Sequence, residues 1–218
     1  MVATLLAALT LGIAPQTLSL NPTDDIWVYP HASDPEKDGY LRCWGAEGQA
    51  VAPDPDEGDE FSYSYLKFDL GKLPKTFTLK SAKLILWHVP DPGWDFGVSK
   101  ENPVQVRGVG STFAEKNWEY DISRTLFPDK AKEAVFGAMS SPKPEAGKPI
   151  LFELDLLKGP ADFAKFLKSS CEKPDRVLGL ALTSTMNPSE FGQKSVYKFY
   201  SKDWEKADLR PVLKLLVE

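Results

Sequence analysis

Apolar and polar positions alternate with period two through most of the chain. Phe61, Tyr63 and Tyr65 alternate with Ser62 and Ser64. Then Leu66, Phe68 and Leu70 become the apolar set, opposite Lys67 and Asp69. Alternation of this kind predicts strands with one face buried. The change of phase predicts a bulge, or a strand that passes from one environment into another. A Lys-Pro turn then leads into SAKLILWHV, a second strand. The same pattern puts Ile26 and Val28 opposite Trp27 and Tyr29, and gives strands in GYLRCWG, VQVRGVG and PILFELDLL. RVLGLALTS is almost continuously apolar, which predicts a central strand covered on both faces. SVYKFYSKDW and LRPVLKLLVE supply the last two strands.

Two helices interrupt the pattern. Residues 128–137, PDKAKEAVFG, carry Pro128 in the first turn and Gly137 just past the end. Residues 159–171 start at Pro160 and place Phe163, Phe166, Leu167 and Cys171 on one face. There is no βαβ rhythm. The expected fold is all-β: a single β-sandwich of jelly-roll type over residues 20–218, with two short helical inserts.

The first residues, MVATLLAALTLGIAPQTLSL, form an apolar run of signal-peptide length, with Ala14 and Ser19 as small residues for cleavage. The reading is a leader over residues 1–19 and a secreted or cell-surface protein; a buried first strand or helix is the alternative. The run is too short for a membrane span. The chain has 31 acidic and 26 basic side chains, a net charge of −5, which argues against nucleic acid as the main partner. Cys43 and Cys171 read as two separate structural thiols, with one bridge as the alternative.

Several segments together carry a resemblance. YLKFDL is followed by SAKLILW, then by VQVRGVGSTFAEKNW, a late buried strand, and YKFYSKDWEKADLRPVLKLLVE. This order resembles the DNRLRE-type domain, a family that includes carbohydrate-binding modules recognising alginate. The matching positions are Asp24 and Asp25, Tyr65 to Leu70, Ser81 to Leu86, Trp118, Phe199 to Asp203, and Arg210 to Leu213. The resemblance spans residues 24–218. The long acidic loop and the helical inserts depart from the plain module. What it implies is a noncatalytic β-sandwich of the kind appended to secreted polysaccharide-degrading enzymes or found on cell surfaces.

Motifs for chemistry are sparse. The chain has two histidines, His31 and His88, and no HExxH, GxSxG or phosphate-binding loop. His88 shares a strand face with Ala82, Leu84 and Leu86, so it reads as a plug at a core edge. Asp54, Asp56 and Asp59 lie in an acidic loop with Gly58, and Asp24 with Asp25 opens the first strand. Either group offers oxygens for a structural calcium ion; a solvated acidic loop is the other reading of the first.

The candidate ligand surface comes from strand phase. Residues opposite the apolar set face away from the core. They include Tyr40, Arg42, Trp44, Lys67, Gln105, Arg107, Lys198 and Tyr200. Aromatic rings stack on sugar faces, and Arg and Lys pair with carboxylates or sulfates. Trp94, in a loop rich in Gly and Pro, joins them as an exposed stacking ring. The expected carbohydrate-binding set is therefore Arg42, Trp44, Lys67, Trp94, Arg107, Lys198 and Tyr200, lining a groove for an acidic polysaccharide on a monomeric protein. Such residues also occur on outward strand faces for strand propensity and solubility alone. A structural or adhesive surface protein, and less readily a polysaccharide-degrading enzyme, are the competing functions.

Overall fold

The computed structural model describes residues 14–29, 38–52, 61–91, 93–116, 118, 126–191 and 196–218. They form the all-β sandwich with short helical inserts that the alternation predicts, built from two antiparallel sheets. The first sheet runs β1 (Gln16–Leu20), β11 (Val212–Val217), β5 (Leu79–His88), β10 (Tyr197–Tyr200) and β3 (Tyr40–Cys43), with β8 (Ile150–Asp155) also paired to β5. The second runs β2 (Asp24–Val28), β4 (Tyr63–Asp69), β9 (Val177–Ser184), β6 (Val104–Gly108) and β7 (Val135–Met139).

The sandwich interior is apolar. Leu66, Phe68, Leu180 and Val106 of the second sheet meet Leu84, Leu86, Phe199 and Leu213 of the first. β9 lies between β4 and β6 and is buried from Leu178 to Ser184, as its continuous apolar run predicts.

The change of phase in residues 61–70 has a clear cause. β4 pairs with β9 without a register shift from Ser64 to Asp69, so no bulge occurs there. Both faces of the strand are buried against different partners. Leu66 and Phe68 point into the interior, while Phe61, Tyr63 and Tyr65 point outward into a second cluster with Ile26, Val28, Val51, Phe113 and Leu126. Loop residues Ala46, Val51, Ala52, Val109, Phe113, Trp118, Leu126 and Phe127 cover this outer face.

Helices fall partly where expected. α1 (Phe96–Glu101) lies in a stretch read as loop, capped by Asp95, whose carboxylate accepts from the Val98 N–H at 3.0 Å. α2 (Phe163–Glu172) matches the second predicted helix; its cap is Asp162, so Pro160 precedes the helix rather than opening it. α3 (Pro188–Phe191) is a single turn. The helix expected over residues 128–137 does not form. Only a 3-10 turn at Lys132–Ala134 appears, and Val135, Phe136 and Gly137 enter β7. Val135 and Phe136 are good strand formers. Gly137 is needed for close packing: a Cβ there would lie 2.4 Å from the Asp155 carbonyl.

β1 takes in residues 16–19, so the folded domain starts before the boundary drawn at residue 20. Cleavage after Ser19 would remove most of that strand. Cys43 is buried in the interior and Cys171 half-buried at the end of α2, both as free thiols. No helix among the described residues is long and apolar enough to cross a membrane.

Candidate ligand-binding surface

Four of the seven expected carbohydrate-binding residues converge. β10 pairs with β3 so that Lys198 lies opposite Arg42 and Tyr200 opposite Tyr40. Leu41, Cys43, Tyr197 and Phe199 point into the core, which leaves Arg42, Trp44, Lys198 and Tyr200 on the other face together with Tyr40. The Lys198 ammonium sits 4.0 Å from the Tyr40 ring centre. The Arg42 guanidinium sits 4.7 Å from the Trp27 ring and is salt-bridged to Asp38, which also accepts from the Trp27 indole N–H at 3.0 Å. Such cation–ring contacts order both partners.

Rings extend this pair of cations in both directions. Trp44 packs 5.5 Å from Tyr29, and Tyr29 lies 6.1 Å from Trp27. At the other end Tyr40, Tyr200 and Trp204 stand 4.7 to 5.9 Å apart. Tyr29, Trp27, Tyr40, Trp44 and Trp204 are all half-buried, with part of each ring at the surface. From Tyr40 to Trp44 the strip spans roughly 14 Å of extended chain. Gly45 fixes the end of the strip. Its N–H donates to the Met186 carbonyl at 2.8 Å, and a Cβ there would lie 1.8 Å from the Gln49 carbonyl oxygen.

Charge on the strip is nearly balanced. Asp38 answers Arg42, and the pKa of Lys198 is lowered first by burial and then by Arg42 beside it. Lys198 is therefore the cation here with no carboxylate within salt-bridge distance among the described residues.

Trp94, Lys67 and Arg107 lie elsewhere, and Tyr200 is in the strip but under its other rings. Trp94 is not exposed: it keeps 7% of its surface, donates to the Ser141 hydroxyl at 3.0 Å and packs 4.3 Å from His88. Tyr200 is also buried, at 6% exposure, and serves the strip as the ring beneath Tyr40 and Trp204. Lys67 sits on the second sheet, 3.2 Å from Asp24 and over the Phe113 ring. Arg107 does point away from the interior, but the loop at 126–132 covers it and leaves 1% exposed. The single basic groove expected from strand phase is thus not assembled. Trp27, Tyr29, Asp38 and Trp204 complete the strip; Trp27 comes from β2 of the second sheet, and the contact between the edges of the two sheets brings it to Asp38, just before β3.

His88 is a core residue. Its Nδ1 lies 2.7 Å from the Val89 carbonyl, and burial pushes its pKa down to about 4. Of the expected metal ligands, Asp54, Asp56 and Asp59 lie outside the described residues. Asp24 pairs with Lys67 and accepts from the Glu115 N–H at 3.2 Å. Asp25 gathers with Glu115 and Asp203, their oxygens within 4.8 Å of one another. Lys202 occupies that cluster: its ammonium is 2.9 Å from Glu115 and 2.7 Å from Asp203, and its N–H donates to Asp25 at 2.6 Å. Burial pushes the Asp25 pKa up to about 8. A protonated carboxyl beside an ammonium is poorly suited to calcium, which calls for several ionised or carbonyl oxygens. Raised carboxyl pKa values mark acid catalysts in some clefts, but Asp25 is only 3% exposed and out of reach of a substrate.

No protein-family model matches the chain, and no curated protein matches it.

Proposed function

We propose that this protein is a secreted, noncatalytic carbohydrate-binding module that takes an acidic polysaccharide along the aromatic strip at the β3–β10 edge. The observation that carries this reading is two ring clusters, Trp44, Tyr29 and Trp27 with Arg42, and Tyr40 and Trp204 with Lys198, each held at 4.0 to 6.1 Å and joined by the cross-strand pair Arg42–Lys198. Rings prearranged on a rigid sheet stack on sugar faces at little entropic cost. Lys198 supplies charge toward a uronate or sulfate. The resemblance to DNRLRE-type modules supports the same class of ligand.

Affinity electrophoresis in gels containing alginate or a neutral glucan tests the reading. Retardation is expected in alginate. It should weaken strongly for Trp44→Ala and Trp204→Ala, and modestly for Lys198→Ala, more at low salt than at high salt. Equal migration of all variants in both gels would sink the proposal.

A further inference from the structure

Arg107 holds a buried charge whose nearest counter-charge, the Asp129 carboxylate, favours its ionised form only from beyond salt-bridge distance. Its Nε donates to the Thr183 hydroxyl at 3.3 Å, Nη1 to the carbonyls of Asp129 and Ala131 at 2.7 Å each, and Nη2 to Gln105 Oε1 at 3.0 Å. All four acceptors are neutral. Among the described residues no carboxylate stands within salt-bridge distance of it. A guanidinium has five N–H groups and no acceptor, so one Nη2 proton remains after these bonds. Burial works against its charged form. A charge removed from water calls for an opposite one to offset the desolvation.

The same side chain lines a cavity of about 680 Å³. This cavity lies between residues 48–51 and the loop at 130–135, on the covered side of the second sheet; the turn at 45–49 separates it from the Trp44 end of the aromatic strip. Its described lining includes Arg107, Lys130 and Lys132 and no acid, in a protein whose net charge is −5. Gln49, Gln105 and Thr185 add neutral polar groups, and Val51, Val135 and Pro160 add apolar surface. The volume falls in the range of small-molecule sites.

We propose that this cavity is a second binding site, which takes the carboxylate or sulfate of a sugar-sized anion through Arg107 and Lys132. The exposed Lys132 ammonium binds the oxyanion, and the Arg107 guanidinium, 1% exposed in the cavity wall, adds positive charge behind it. The glutamines and Thr185 meet ring hydroxyls, and Val51, Val135 and Pro160 pack against the carbon side of the ring. This site does not depend on the strip; it recognises one charged group, whereas the strip recognises the length of a chain.

The test titrates the whole protein with glucuronate, with glucose 6-sulfate and with glucose, read by amide nitrogen–proton NMR shifts. Saturable shifts at Gly48, Gln49 and Thr185 are expected with one or both acidic sugars and not with glucose. Which acid binds decides between a carboxylate and a sulfate. Lys132→Ala, on an exposed side chain, should weaken that binding about fivefold, and Lys132→Glu should weaken it further. Trp204→Ala, at the far end of the strip, should leave it unchanged, so failure here is distinct from failure of the strip. Arg107→Gln should weaken binding; because it can also impair folding, the Lys132 variants decide. No saturable shift with either acid, equal shifts with glucose, or binding unaltered in Lys132→Glu would overturn the proposal.

Discussion

The two sides of β4 teach different lessons. On the inner side Leu66, Phe68 and Leu70 pack in a large apolar cluster that the facing sheet, α2 and loop residues share. On the outer side Phe61, Tyr63 and Tyr65 meet a lid of loop residues, and polar groups are threaded through the packing. Tyr63 accepts a hydrogen bond from the Ala52 N–H, and Arg107 ties down the loop at Asp129 and Ala131. Sheet against sheet needs only shape and apolar surface. Loop against sheet leaves backbone polar groups that must be satisfied one at a time. The interior therefore makes the fold, and the outer core attaches loops to it.

That contrast can be broken most sharply by truncating one ring on each side. Phe68→Ala should cost about 4 kcal/mol and shift the whole unfolding transition in urea. Phe113→Ala should cost less, about 3 kcal/mol, and raise amide exchange chiefly in residues 109–118. Equal, global effects would show that the outer cluster is as integral as the interior.

A second test uses pH. His88, in the interior, has a folded pKa of about 4, against about 6.5 in an unfolded chain. The unfolded state binds more protons in that window, so stability is full above it and is lost as pH falls through it. Asp25 at the sandwich rim has a folded pKa of about 8, against about 3.9 unfolded. There the folded state binds more protons, so stability is full below the window and declines as pH rises through it. Of these two groups, Asp25 alone contributes a slope between about pH 6.5 and 8. Urea unfolding in pH steps across that range should show falling stability, and Asp25→Asn should remove the decline. An unchanged slope in Asp25→Asn would refute the assignment.

Smaller effects sharpen the picture. Tyr63→Phe should cost about 1 kcal/mol through the bond to Ala52, with faster exchange confined to residues 46–52. Lys198→Ala should change stability by no more than about 0.5 kcal/mol while still reducing retention in alginate gels. A large loss of stability there would mean that the strip is scaffold rather than contact surface.

Strand phase made the sheets legible, and also which residues turn from the interior. It turned Arg42, Lys198 and Tyr200 away from the interior, and the β3–β10 pairing then put them on one face. It could not tell whether the outward face meets water or a second layer of protein. Arg107 and Lys67 have the expected phase and lie under loops far away in sequence. Trp94 was misjudged for the same reason: Ser141, which covers its indole, lies 47 residues further on. Residues 128–137 carried the end signals of a helix, but the free edge of β6 and the close approach of Asp155 outweighed them. The Asp25, Glu115, Asp203 and Lys202 cluster comes from three separate segments, and no local spacing announces it.

The pairing of β1 with β11 has a mechanical consequence. The two strands run antiparallel with Gln16 opposite Val217. A tension applied at these two points loads the ladder from one end, so its hydrogen bonds break in succession rather than together. A peeling joint yields at low force, whereas the sheets behind it, loaded across many bonds at once, hold. Under traction the first strand would come away as a short tether while the aromatic strip, at the opposite edge of the same sheet, kept its shape.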